Sequence, residues 1–81
     1  MTLDIISPEH TTTHSIAWIE LNTISGNLII SRGHAPTVLL LAENQQATFK
    51  LKTGKQQTIA IASGIAEITR DGVQLVIRET L

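Results

Sequence analysis

Apolar residues recur along this chain with a period near two, and glycine or small polar residues interrupt them every eight to ten positions. Alternation of this kind marks half-buried strands, and nowhere do the apolar positions keep helical spacing for three turns, so the pattern predicts an all-β protein. The first run, LDII (3–6), stops at Ser7-Pro8, because proline lacks the amide proton that a central strand needs. SIAWIEL (15–21) sets Ile16 and Trp18 against Ala17, Ile19 and Leu21. With apolar residues on both faces, that strand belongs inside the protein or under a partner. Gly26 and Asn27 in ISGN (24–27) tolerate the backbone of a tight turn. LIIS (28–31) and TVLLL (37–41) then flank a loop in which His34 stands between Gly33 and Ala35, ahead of Pro36.

The second half alternates more cleanly. ATFKLK (47–52) puts Ala47, Phe49 and Leu51 on one face and Thr48, Lys50 and Lys52 on the other. After a turn at TGK come QQTIAIA (56–62), a turn at Ser63-Gly64, and IAEIT (65–69). Asp71-Gly72 is a strong hairpin signal, and VQLVIR (73–78) follows with Val73, Leu75 and Ile77 on one face. Seven or eight runs are legible in this way. The architecture they imply is a two-layer antiparallel β-sandwich or flattened barrel. No internal repeat, low-complexity tract or linker divides the chain, so one domain is expected over residues 1–81.

Composition narrows the partners. A chain of 81 residues covers only roughly 60% of the surface it exposes when unfolded, so a docked neighbour adds materially to its stability. Six basic and seven acidic residues leave a net charge of -1, too small a field to hold nucleic acid or an anionic membrane. The absence of cysteine excludes disulfides, thiolate metal sites and a cysteine nucleophile. MTLDIISPEH carries no basic flank or apolar core of a signal peptide, and no apolar run approaches the roughly 20 residues of a membrane span. A soluble, cytoplasmic product with no direct membrane insertion is therefore expected.

Catalytic chemistry finds little support. His10 and His14, the only close histidine pair, lie roughly 13 Å apart in extended chain, too far for one metal ion, and read as a polar loop. Ser63 precedes Gly64 as turn serines do, without the strand-to-helix elbow of a nucleophile. The glycines are scattered one per turn and form no phosphate-binding loop, and the acids lie mostly in or beside turns as a solvated rim. No catalytic residue, metal or cofactor is assigned. There remains an excess of apolar residues with only Trp18 and Phe49 aromatic, which either fills a thin core or covers a docking face.

At this point GHAP (33–36), preceded by the SGN turn and followed by an apolar strand, resembles the ε subunit of F-type ATP synthases. LDIISPE (3–9) is similar to that family's opening strand and its Ser/Thr-Pro/Ala-Glu turn. IASGIAEIT (61–69) is similar to its serine-glycine turn feeding a strand, and DGVQLVIRET (71–80) to its last sandwich strand. The four segments keep order and spacing over essentially the whole chain, and the resemblance implies a sandwich or flattened barrel of about 8–10 short strands. The resemblance implies a non-catalytic central-stalk rotor subunit whose β-sandwich grips the γ subunit and rests on the c-ring, coupling proton or sodium translocation to ATP synthesis. It implies peripheral attachment at the cytoplasmic face of the inner or plasma membrane, through the complex. In the family a C-terminal helical hairpin follows, which can inhibit ATP hydrolysis. The sequence stops at Leu81, about where that hairpin would begin, so a coupling element without the inhibitory one is expected. The alternative is a diverged interaction or regulatory adaptor of the same fold outside the synthase.

Residue by residue, the resemblance puts His34 in a loop at the end facing the c-ring, and Ser7 in a turn on that same end. The family commonly reads Gly-Glu-Leu-Gly where this chain reads Gly26-Asn27-Leu28-Ile29, so a charge and a glycine are gone. Ser31-Arg32 replaces Leu-Pro or Tyr-Pro and adds a cation. An aromatic and a glycine usually precede the second strand, where Thr12, Thr13, His14 and Ser15 stand here. Ser7, Asn27, Ser31, Arg32 and His34 are thus the expected contacts with the c-ring and γ, and Gly26, Gly33, Pro36, Gly64 and Gly72 the structural turns. For His34 two readings stay open: an imidazole free to donate to a partner's loop, or one bonded to its own neighbouring backbone.

Overall fold

A computed structural model describes residues 1–79. They form seven strands, β1 (Thr2–Ile6), β2 (Thr11–Thr23), β3 (Gly26–Ser31), β4 (Thr37–Leu40), β5 (Gln45–Leu51), β6 (Gln56–Ile68) and β7 (Gly72–Glu79), and none of the described residues is helical. β2 and β6 have 13 residues each. Drawn out straight, each would reach about 43 Å. The longest extent of the molecule is 29 Å, so both strands bend. The bends coincide with register shifts, between Ile16 and Trp18 in β2 and between Ile61 and Ser63 in β6. Such a bulge leaves one residue unopposed and sharpens the local twist, which lets a strand leave one layer and enter the other.

Each long strand therefore serves both layers. The first half of β2 pairs with β1, and its second half with β3 and β5. The first half of β6 pairs with β5, and its second half with β7 and β4. One layer reads β3-β2-β5-β6 and the other β2-β1-β7-β6-β4. Because β1 joins β2 as well as β7, the pairings β1-β7-β6-β5-β2 close a ring, which makes the sandwich a flattened barrel. β3 and β4 hang from it as edges, and a single bridge between Thr23 and Leu41 ties the end of β2 to the end of β4. One pairing, β1 with β7, is parallel rather than antiparallel, because the ring has five strands and its other four pairings are antiparallel, which leaves β1 and β7 running the same way.

The strand count is lower than the runs implied because QQTIAIA and IAEIT are one strand. Gly64, expected at a turn, lies inside β6. A Cβ there would stand 2.6 Å from the Val76 carbonyl oxygen and 2.8 Å from Ile77 Cγ2, so glycine is needed for β7 to approach where β6 bends. Gly72 likewise opens β7, where a Cβ would meet the Thr2 carbonyl oxygen at 2.5 Å. Gly26 and Gly33 do take positive φ, +124° and +88°, and Pro36 precedes β4.

Inward positions of all the strands form one core, whose largest fully buried side chains include Phe49, Leu3, Ile16, Ile19, Leu21, Ile30, Ile68 and Leu75. Each such side chain contributes about 1.5–3 kcal/mol. The stretch around His14 is strand rather than loop, since Thr11 to Ser15 pair with Ile6 to Thr2, and β-branched threonines suit a pleated surface. His14 points inward, half-buried, with its ring 5.2 Å from that of Phe49.

Candidate functional site

Residues directly opposite each other in a ladder share a face. Leu40 lies opposite Ile65, Ile65 opposite Val76, and Val76 opposite Ile6. Their chain neighbours Ala66, Leu75 and Ile5 are buried, so this row faces outward. Leu40 is 55%, Ile65 38% and Val76 44% exposed, and Ile6 is half-buried. Strands stand about 4.8 Å apart, so the row runs about 14 Å across β4, β6, β7 and β1. Val38, 61% exposed, widens it on β4, and the Ile24 amide donates to the Leu40 carbonyl at 3.1 Å, setting exposed Ile24 beside its end.

One step along the strands the chemistry changes. Val38, Glu67, Gln74, Asp4 and Thr13 form the neighbouring outward row, and Thr13 Oγ1 donates to Asp4 Oδ1 at 2.9 Å. Asp4 and Glu67 border an open hollow of about 310 Å³ around Gly72, with Asp71 at its rim. On the other side of the apolar row, Arg78 follows Val76 by two positions and is exposed. Among the described residues the one ion pair is His10 Nε2 to Glu79 Oε1 at 3.8 Å, so Asp4, Glu67 and Arg78 have no charged partner there.

The outer face of the other layer is polar. Thr48 and Thr58 hydroxyls lie 3.2 Å apart, Asn27 Nδ2 donates to Asn22 Oδ1 at 3.0 Å, and Asn22 Nδ2 donates to the Gln46 carbonyl at 2.9 Å. Ile29 is 61% exposed on the edge strand, but Glu20, Thr48 and Thr58 complete its row. Trp18 is half-buried on this face, opposite Ser31 and Lys50.

The five expected contact residues do not share an end. Asn27 stands near the start of β3, Ser31 ends it, and Arg32 and His34 lie in the loop that follows. The Gly33 amide donates to the Arg70 carbonyl at 3.0 Å, which draws this loop to the β6–β7 turn, where β1 begins. There Arg32, Lys52, Met1 and Asp71 border a second hollow of about 290 Å³. The Met1 ammonium donates to the Ile16 carbonyl at 3.1 Å, and loss of water around it, then Lys52 and Arg32, hold its pKa below the ordinary value. Ser7 lies past the other end of β1, its hydroxyl donating to the His10 carbonyl at 3.0 Å. The full length of β1 thus separates Ser7 from Arg32, and the shared end expected for Ser7 and His34 is corrected.

His34 is half-buried, and its Nδ1 lies 2.8 Å from the Ala35 carbonyl oxygen. A carbonyl only accepts, so neutral His34 carries its proton on Nδ1 and offers Nε2 as an acceptor, not a donor. Among the described residues no group of three or more His, Asp or Glu is placed to hold a metal ion. Ser63 lies in β6 opposite Arg78, with no histidine in that pairing. The outward apolar row escaped the sequence reading, although Val76 carries a signal: it is the apolar residue on the otherwise polar face of VQLVIR.

Residues 1–81 match the family described as ATP synthase, Delta/Epsilon chain, beta-sandwich domain. Among solved structures, a chain of the Euglena gracilis mitochondrial ATP synthase, from its OSCP/F1/c-ring assembly in rotational state 1, superposes with a TM-score of 0.85 at 22% identity. The match covers 93% of this chain and 48% of that one. A chain of the central stalk and c-ring of Tetrahymena thermophila mitochondrial ATP synthase gives a TM-score of 0.81 at 11% identity, over 98% of this chain and 63% of that one. The chain thus spans between about half and two thirds of the length of these relatives, and at such identities the likeness is one of fold. A comparison with curated protein sequences gave no significant match.

Proposed function

This chain belongs to the ATP synthase delta/epsilon β-sandwich family, and from that premise we propose that it is a non-catalytic central-stalk subunit of an F-type synthase, docked on the γ subunit and the c-ring. The observation that carries the reading is the outward apolar row on a body whose strands close into a ring. A rotor contact needs stiffness, and a closed ladder with a close-packed interior resists the sliding of one strand past another. An apolar face ringed by charges is suited to a lasting protein contact, and a stable one buries about 1,200–2,000 Å².

On this reading γ covers β4, β6, β7 and β1, while Ser31, Arg32 and His34, where β3 runs into its following loop, meet the polar loops of the c-ring. Asn27, at the start of β3, and Ser7 fall outside that group. Attachment to the membrane is then peripheral, through the complex. The departures at Asn27 and at Ser31-Arg32 from the residues usual in the family favour a second reading, an adaptor outside the synthase. Co-purification of the tagged chain with cognate γ and c subunits separates the two: joint elution with both, and restored ATP-driven ion pumping in enzyme depleted of this subunit, is the expected result. Elution without γ and c refutes the central-stalk reading.

A further inference from the structure

We propose that the outer face of β4, β6, β7 and β1 fixes the direction of the γ segment docked on it, by requiring apolar side chains flanked by Lys or Arg on one side and by a carboxylate on the other. This rests on the central-stalk reading and adds to it the chemistry of the partner's segment. β7 shows the order along a single strand: outward Gln74 sits in the acidic row between Asp4 and Glu67, Val76 in the apolar row, and Arg78 beyond it. Alternate residues are about 6.6 Å apart along a strand, so both charged flanks lie within reach of side chains on one docked segment. Among the described residues Asp4, Glu67 and Arg78 have no charged partner, so a docking segment can offer them counter-charges that those residues do not supply.

When the apolar row is covered, charges at its margin lose part of their water. A mismatched approach then loses more than a matched one gains, which makes the charge order a selector of orientation. The opposite outer face has no comparable row, since its exposed Ile29 is surrounded by Glu20, Thr48 and Thr58. A second copy of this chain fits less well. Turned over so that acidic row meets cationic flank, it sets two carboxylates against a single Arg78.

The test measures binding of the full chain to purified cognate γ subunit at low and high salt. Ile65→Asp should weaken binding by about tenfold or more, as loss of a central apolar contact does. The double variant Asp4→Lys/Glu67→Lys should lose about tenfold at low salt and less at high salt, where marginal charges are screened. Arg78→Glu should also weaken binding, and Glu20→Gln, on the other face, should not. Thermal melts near that of the unaltered chain establish that the variants fold. Tight γ binding by the unaltered chain with no loss in the charge-reversed variants overturns the inference and leaves the central-stalk reading intact. No γ binding by the unaltered chain overturns the central-stalk reading itself. A homodimer in solution that these same substitutions dissociate, without effect on γ, overturns the choice of partner.

Discussion

Gly64→Ala tests the account of how the two layers are joined. The new methyl would stand 2.6 Å from the Val76 carbonyl oxygen, 2.8 Å from Ile77 Cγ2 and 2.9 Å from Ile77 Cα. Two of those three atoms are backbone, so a change of rotamer cannot make room, and β7 must move outward by about half an ångström or more against a close-packed core. Overpacking of this kind costs about 1–3 kcal/mol, and backbone contacts put this site at the upper end. Alanine also restricts the unfolded chain, which offsets about 0.4–1 kcal/mol. The net loss is about 2 kcal/mol, or a melting temperature lower by about 8–16 °C for a domain of this size. Thermal and urea unfolding followed by circular dichroism measure it, with Ser63→Ala, an exposed neighbour, as the control. A melting temperature within about 2 °C of the unaltered chain would mean that β7 does not press on β6 at this point, and the reason given for the long strand's glycine would be wrong.

Phe49→Ala removes the largest fully buried side chain and the His14 contact, and should lose about 3–5 kcal/mol in urea titrations, enough to leave a chain this short largely unfolded. Thr23→Val deletes a buried hydroxyl that donates to the Gly26 carbonyl at 2.7 Å and accepts from the Ser25 amide. It should lower stability by about 1–2 kcal/mol and speed hydrogen exchange in the β2–β3 turn. His34→Ala should change stability by under about 0.5 kcal/mol, yet reduce retention of the c-ring in pull-downs; unchanged retention and ion coupling in reconstituted enzyme would assign the imidazole to its own loop alone.

Alternation made most strands legible, because a period of two follows from the pleat itself: Ala47 and Phe49 share one buried face, and Val73, Leu75 and Ile77 another, as read. It could not say which residues stand opposite one another. The apolar row depends on Ile6, Val76, Ile65 and Leu40 falling in register, and register is a property of pairs of strands. Gly64 misled because a glycine after serine has the composition of a turn, whereas here it marks close approach of two backbones. Ser7 and His34 were legible as loop residues, but their separation depends on the bond that draws Gly33 to Arg70, which joins segments far apart in the chain.

The bends in β2 and β6 mean that the chain itself crosses from one layer to the other twice, so relative sliding of the layers is opposed by peptide bonds as well as by side-chain contact. Under torsion the first parts to yield are then the outermost ribbons. β3 holds only β2 and β4 only β6, apart from the Thr23–Leu41 bridge, and amides there should exchange with solvent before those of the closed circuit. A body made this way gives at its fringe while its centre keeps its shape.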